Sequence, residues 1–344
     1  MKKSYSATIL FLILVLTVSG CQKSPDMSQS ISDSQIILGT VISIQIFGTK
    51  DENLLNESFD IIKDIEAKMS LNVLDSEIVA INNSAGDAPL AVSKDTFYVI
   101  QKSIEYSELS DGIFDVTMEP VIHLWGIGTD EARIPEENKL EEALSHVDYQ
   151  KIQLDEAKQT VYLEAGMAID LGAIAKGYAA DQVADYLKSQ GITKSIINLG
   201  GNVMLIGQKD ENTLFKVGLQ DPYDVRNKYF GIIEEADKTV VTSGVYERNF
   251  EEDGVLYHHI LSPEDGYPVR NNIGAVSVVA ETSIDADALS TVLFAVGKEK
   301  GLELVETLEG VECIYIMDNH EIFTSSGIDE NALTLINTDY SFSK

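Results

Sequence analysis

Positive charge is what this chain has least of. Its 344 residues carry 25 Lys and Arg against 56 Asp and Glu, a formal net charge of −31. A nucleic-acid surface needs cations to displace phosphate counterions, so that class is excluded. Cysteine is scarce as well, and two of them, Cys21 and Cys313, cannot build a disulfide-dense scaffold. Long hydrophobic runs are missing apart from a short one at the start. That excludes a polytopic membrane protein, whose spans need about 20 apolar residues each. No Cys/His spacing of the zinc type occurs, no Gly-x-Ser-x-Gly elbow and no Walker loop. What is plentiful is apolar: 44% hydrophobic and 8% aromatic residues suffice for a core and argue against disorder.

The start of the chain reads as an address. Lys2 and Lys3 precede an apolar run from Ile9 to Leu16, which ends in Val18-Ser19-Gly20-Cys21. A basic start, a short apolar core and small residues before a cut site make a secretory signal. Ile9 to Val18 is too short to span about 30 Å of hydrocarbon as an anchor helix. The residues before Cys21 resemble a bacterial lipobox, which implies removal of residues 1–20 and a diacylglycerol on the Cys21 sulfur. Only Cys313 would then remain, so the mature chain would hold no internal disulfide. Residues 21–35, polar and rich in Ser, Asp and Gln, read as a flexible tether. The folded domain is expected over residues 36–330, with a tail at 331–344.

Within that domain the hydrophobic period alternates between helix and strand. A strand is expected from Ile36 to Phe47, interrupted at Gly39-Thr40. Helices are expected over Leu54 to Met69, Asp75 to Ile81, Lys94 to Leu109, Pro135 to Leu144 and Ala173 to Gln190. Short strands follow at Ser195–Asn198, Val203–Ile206, Leu214–Val217, Tyr229–Ile233, Thr239–Thr242, Leu256–Ile260 and Ile273–Val279. Others are expected at Val161–Leu163 and Ala168-Ile169. Helices from about Asp285 to Val296 and on to Thr307 precede a hairpin of Ile314–Met317 and Glu321–Phe323. Helices set before and between mostly antiparallel strands define an α+β class in one compact unit.

Four segments could carry chemistry. Asp287 and Thr291, four apart on a helix, offer a carboxylate and a hydroxyl on one face, half of a hard-cation site. The simpler alternative is that Asp285 and Asp287 complement the helix dipole. Asp170-Leu171-Gly172-Ala173-Ile174-Ala175-Lys176 passes from a strand end into a helix, where free N–H groups and Lys176 suit a phosphate. A packing glycine with a solvated lysine reads equally well. Asn198-Leu199-Gly200-Gly201-Asn202 is either a hairpin turn or a close approach to a ligand. His258 and His259 lie side by side on a strand and face opposite ways, so one of them at most serves a given site.

Read in order, these segments resemble the ApbE family. The resemblance runs through Leu38-Gly39-Thr40, Met69-Ser70, Asp75-Ser76-Glu77, Gly112 to Thr117 and Pro120. It continues through Asp170 to Gly177, Asn198 to Asn202, Thr242 to Arg248, His259 to Pro263 and Asp287 to Thr291. It spans about Ile36 to Gly327 and implies a T-fold-like α+β architecture. The activity implied is that of an FAD:protein FMN transferase. FAD would be split at its pyrophosphate, the FMN half joined by a phosphoester to a threonine or serine of a partner, and AMP released. Partners implied are subunits of redox-driven pumps or other extracytoplasmic flavoproteins. The alternative within the same chemistry is an FAD pyrophosphatase giving FMN and AMP. Outside it stand an FAD-binding lipoprotein without turnover and a solute-binding lipoprotein, the latter built on parallel-sheet lobes.

The resemblance also assigns residues. Asp287 and Thr291 match side-chain ligands of Mg²⁺, and Ala173 a main-chain carbonyl ligand. Leu38, Ile113, Phe114, Asp115, Asp170, Lys176 and Leu261 match FAD contacts, and His259 the histidine near the scissile phosphate. Asn72 aligns where many members carry an aromatic ring, and its loss would weaken stacking on FAD. Leu38 replaces a common methionine, and Ser262 stands where Asp or Asn is usual. The implied location is extracytoplasmic, lipid-anchored to the bacterial cell membrane.

Overall fold

Leu54, Leu55, Phe59, Ile62, Ile65 and Met69 recur at helical spacing, and all are buried along one face of a single helix. The same logic, applied along the chain, builds the domain. It is seen in a computed structural model that describes residues 27, 29–225, 228–329 and 331–343. The expected signal peptide and Cys21 lie outside those residues. The first half runs β1 (Ser30–Ile37), β2 (Thr40–Phe47), α1 (Asn53–Met69), α2 (Glu77–Asn83), β3 (Leu90–Ala91), α3 (Lys94–Leu109), α4 (Glu119–Trp125) and α5 (Glu137–Leu144). Next come β4 (Gln153–Asp155), β5 (Thr160–Tyr162), α6 (Ala175–Ser189), β6 (Ser195–Leu199), β7 (Asn202–Ile206), β8 (Phe215–Gln220), β9 (Tyr229–Glu235) and β10 (Thr239–Gly244). The remainder is β11 (Asn249–Glu252), β12 (Val255–His258), β13 (Ile273–Ala280), α7 (Ser283–Val296), α8 (Lys298–Val305), β14 (Glu312–Met317), β15 (Glu321–Thr324), β16 (Leu333–Leu335) and β17 (Ser341–Phe342).

A nine-stranded sheet in the order β1-β2-β6-β7-β10-β13-β14-β15-β17 forms the spine. Its pairings are antiparallel except β15 with β17. This is the expected α+β class, without the parallel lobes of a solute-binding protein. One face is covered by α1, α6 and α7, the other by the small sheet β16-β9-β8. Covering both faces explains β13, whose eight residues Ile273–Ala280 are all buried. A third, smaller cluster gathers around Trp125, with Met118, Val121, Leu140, Ala143 and Leu261. Capping follows the sequence: Ser76 Oγ accepts from Val79 N, and Ser93 Oγ from Thr96 N.

Four differences from the sequence reading have physical causes. Residues 30–35 of the expected tether form most of β1, because their backbone pairs with β2 from Ser30↔Phe47 to Ile37↔Thr40. Polar side chains hide a strand whose partner is supplied by tertiary structure. The expected tail contains β16 and β17, which pair with β9 and β15. Ala168-Ile169 is not a strand: the Asn82 side chain donates to Ile169 O at 3.0 Å and accepts from Ile169 N at 2.8 Å, taking the place of a partner strand. Helix α4 lies in a stretch too short and mixed to show a period.

Candidate active site

Two walls enclose a cavity of about 700 Å³. The first is built by α6 and α7. Helix α6 begins at Ala175, so Ala173 lies in the turn that leads into it. Gly177 lets the two helices touch: a Cβ there would lie 2.2 Å from Ser283 O and 2.6 Å from Ile284 Cα. That contact places Asp287, 4% exposed, against the start of α6. Asp287 Oδ2 accepts from Gly177 N at 2.9 Å, and Oδ1 lies 3.3 Å from Lys176 Nζ. A regular helix would aim Gly177 N at the Ala173 carbonyl. Here it is turned to the carboxylate, which leaves that carbonyl free of this bond. One turn along α7, Thr291 stands 3.5 Å from Ser243 Oγ, which also bonds Ser290 Oγ at 2.7 Å.

Asp170 reaches the same cavity from the loop before α6. Its Oδ1 accepts from Gly172 N at 2.7 Å, and burial raises its pKa, opposed by that bond and by the Arg248 and Lys176 charges. The floor comes from residues 113–115. The Asp115 carboxylate accepts from Thr117 N at 2.8 Å, Thr117 Oγ1 at 2.6 Å and Tyr149 N at 3.0 Å, so it holds the loop that presents Ile113 and Phe114. Leu38 sits in the β1–β2 turn with a positive φ of 53°, its N donating to Glu66 Oε1 at 2.6 Å.

The second wall is the β11–β12 hairpin. His258 turns into the core, where its Nε2 meets Val269 O at 2.9 Å, and His259 turns to the cavity. The opposite facing follows the strand period. His259 Nδ1 lies 3.2 Å from Arg248 O, an oxygen that can only accept. Nδ1 therefore carries the proton, and Nε2 of the neutral ring keeps its lone pair. Burial first, then the Arg248 charge, hold the ring's pKa down to about 4. Leu261 follows in the Trp125 cluster, whose indole donates to Gly266 O at 2.7 Å.

A family model for the ApbE family matches residues 38–315. The chain belongs to the ApbE family. It is 37% identical over 296 residues to the FAD:protein FMN transferase of Klebsiella pneumoniae (strain 342), covering 86% of this chain and 92% of that protein. To the FAD:protein FMN transferase of Treponema pallidum (strain Nichols) it is 33% identical over 322 residues, covering 88% and 89%. The ApbE protein of Thermotoga maritima superposes with a TM-score of 0.79 at 30% identity, covering 87% of this chain and 98% of that one. The flavin transferase ApbE of Vibrio cholerae gives 0.78 at 29%, with 87% and 97% covered.

In this ApbE-family chain the cavity gathers Leu38, Ile113, Phe114, Asp115, Asp170, Ala173, Lys176, His259, Leu261, Asp287 and Thr291. Asn72 is the exception: it is exposed and does not line the cavity. Carboxylate, hydroxyl and carbonyl oxygens on the helical wall are the donors a hard cation such as Mg²⁺ takes. Among the described residues no group of three or more His, Cys, Asp or Glu is placed to hold a metal, so a cation here needs those mixed oxygens. Sequence reading gives no role to Arg248, Ser243 or Asn202, which also line the cavity. Asn202 is 1% exposed, its Oδ1 takes the Ser283 hydroxyl at 2.5 Å, and its Nδ2 has no partner among the described residues. Their one signal is position within the segments Asn198 to Asn202 and Thr242 to Arg248.

Proposed function

We propose that this chain is a Mg²⁺-dependent FAD:protein FMN transferase, acting on a threonine or serine hydroxyl of a partner flavoprotein. One observation carries the reading. A neutral histidine with a free nitrogen faces, across one cavity, a wall of oxygen donors and a lysine at a helix start. Asp287, Thr291 and the Ala173 carbonyl would hold Mg²⁺, which neutralises pyrophosphate charge and orients it.

The chain's own residues do the rest. Leu38, Ile113, Phe114 and Leu261 offer apolar surface to the flavin nucleotide. Lys176 takes up charge that grows on the phosphates, while the first N–H groups of α6 are spent on Leu171 O and Asp287. His259 Nε2 accepts the proton of the acceptor hydroxyl as its oxygen bonds to the FMN phosphorus. The bond from that phosphorus to the bridging oxygen breaks, and AMP leaves with that oxygen. Holding the reactants in line supplies much of the rate in phosphoryl transfer. Water in place of the acceptor gives FMN and AMP from the same site.

The lipobox-like Cys21 supports an extracytoplasmic enzyme tethered to the cell membrane by lipid. Acceptors would be flavoprotein subunits of redox-driven pumps or other extracytoplasmic flavoproteins. The test is incubation with FAD, Mg²⁺ and a threonine-bearing acceptor, reading AMP by chromatography and acceptor fluorescence on a denaturing gel. AMP with labelled acceptor is expected. AMP without label makes the protein a pyrophosphatase, and no AMP leaves a binder.

A further inference from the structure

We propose that the Arg248 guanidinium binds the phosphate that is transferred, the FMN phosphate of FAD, from the acceptor side of the site. The proposal rests on the transferase reading above. Arg248 and His259 face each other where the β11–β12 hairpin leaves the body of the protein. The ladder pairs Asn249 with His258, and one step further His259 N donates to Arg248 O at 3.1 Å. Both side chains line the cavity, so the imidazole and the guanidinium stand at a fixed spacing set by backbone bonds.

The guanidinium is held in reserve. In a chain with 56 acidic residues, carboxylates are available to pair it. The cavity is lined by Asp115, Asp170, Glu247 and Asp287; the aspartates bond Thr117 and Tyr149, Gly172, and Gly177 and Lys176, and Asp170 senses the Arg248 charge without forming an ion pair with it. Among the described residues none gives the Arg248 guanidinium a hydrogen bond or an ion pair. Two glycine turns make room for it. A Cβ on Gly128 would lie 3.0 Å from Arg248 Cδ, and one on Gly39 would lie 3.8 Å from Nη2. Both glycines have positive φ, 89° and 69°, so a side chain there is disfavoured twice over. A planar, permanently charged fork left free at a cavity suits a bidentate phosphate.

Position decides which phosphate. The base stands on the acceptor's side of the phosphorus under attack, and the leaving group departs on the opposite side. Arg248 shares the base's rung, whereas Lys176 belongs to the Asp287 wall. The guanidinium therefore meets the equatorial oxygens of the FMN phosphorus, where charge spreads during transfer. It makes and breaks no bond itself.

The test uses Arg248→Met and Arg248→Lys in the full chain. Affinities for FMN, riboflavin and AMP are measured by fluorescence or calorimetric titration, beside transfer kinetics with FAD and acceptor. Arg248→Met is expected to weaken FMN about tenfold, to leave riboflavin and AMP unchanged, and to lower kcat/KM by ~10²–10³-fold, the usual loss of one charge-stabilising donor. Arg248→Lys should recover part of the FMN affinity, because a point charge replaces the fork. Equal weakening of FMN and riboflavin would reduce Arg248 to packing and overturn the proposal. So would weakened AMP with unchanged FMN, or no change in any ligand. A wild type that binds FMN yet releases no AMP sinks the transferase reading alone, and the affinity comparison still decides Arg248. A wild type that does not bind FMN sinks both.

Discussion

The two walls of the cavity are made in opposite ways. The α6–α7 wall belongs to the main core: ten of the fourteen residues of α7 are buried, and it packs on β10 and β13. Asp287 is placed there by helix packing that tolerates no Cβ at Gly177. The β11–β12 wall is a two-stranded ribbon with exposed Val255 and Leu256 near its turn. His259 is placed there by backbone bonds at the ribbon's base and by Trp125, which meets Tyr257 at a tilt and Tyr267 edge-on, at 5.5 and 5.4 Å between ring centres. An isolated two-stranded ribbon is marginally stable by itself, so the aromatic cluster has to hold it. The contrast suits the chemistry. On the proposed reading, Asp287 would hold the metal from a rigid frame, and His259 would meet an incoming polypeptide as base.

The largest effect should come from the rigid wall. Asp287→Ala is expected to bring transfer to background with the fold retained by circular dichroism. Normal gel fluorescence of the acceptor would remove Asp287 from metal binding. Next is His259→Ala, expected to slow transfer by ~10²–10⁴-fold while FAD binding persists. Full activity in that variant would end its role as base. The wild-type pH profile tests the same residue. A pKa held down to about 4 keeps the ring neutral through pH 7, so the acid limb set by His259 should fall near 4, below the usual imidazole value. The unfolded chain protonates this histidine near 6.5, so its contribution to stability is lost as pH falls from there toward 4.

Smaller effects sharpen the comparison. Gly177→Ala should cost about 1–3 kcal/mol through overpacking of α6 on α7, seen as a lower Tm, and should lower activity by moving Ala173 away from Asp287. An unchanged Tm would show that the helices can part freely. Trp125→Phe loses the bond to Gly266 O and should cost about 1–2 kcal/mol. Its effect on transfer should appear mainly as a raised KM for the acceptor, with FAD binding near normal. A loss of FAD binding instead would mean that the two walls are not independent.

Much of this was legible in the residues. The helix over Lys94 to Leu109 has the predicted ends, because Ser93 caps it and its apolar period is unambiguous. Asp287 and Thr291 share a face by helical spacing alone, and the opposite facing of His258 and His259 follows from the strand period. Other features were hidden. The strand at Ser30 carries no hydrophobic pattern and exists through its pairing with β2. Asn72 drew attention by alignment, yet it lies outside the cavity wall. Arg248 has no role legible in the sequence beyond its place in the segment Thr242 to Arg248; the ladder sets it beside His259.

Sequence by itself determined the class of fold, the acidic surface and the residue types for phosphate chemistry, because periodicity, charge and side-chain identity are local properties. Tertiary structure decided which of those residues meet. Gly177 N turns from its helical partner to a carboxylate 110 positions away because two helices touch at a glycine. A histidine remains neutral because burial and a neighbouring guanidinium disfavour its charge. Close approach and desolvation depend on distant parts of the chain, and only folding brings those parts together.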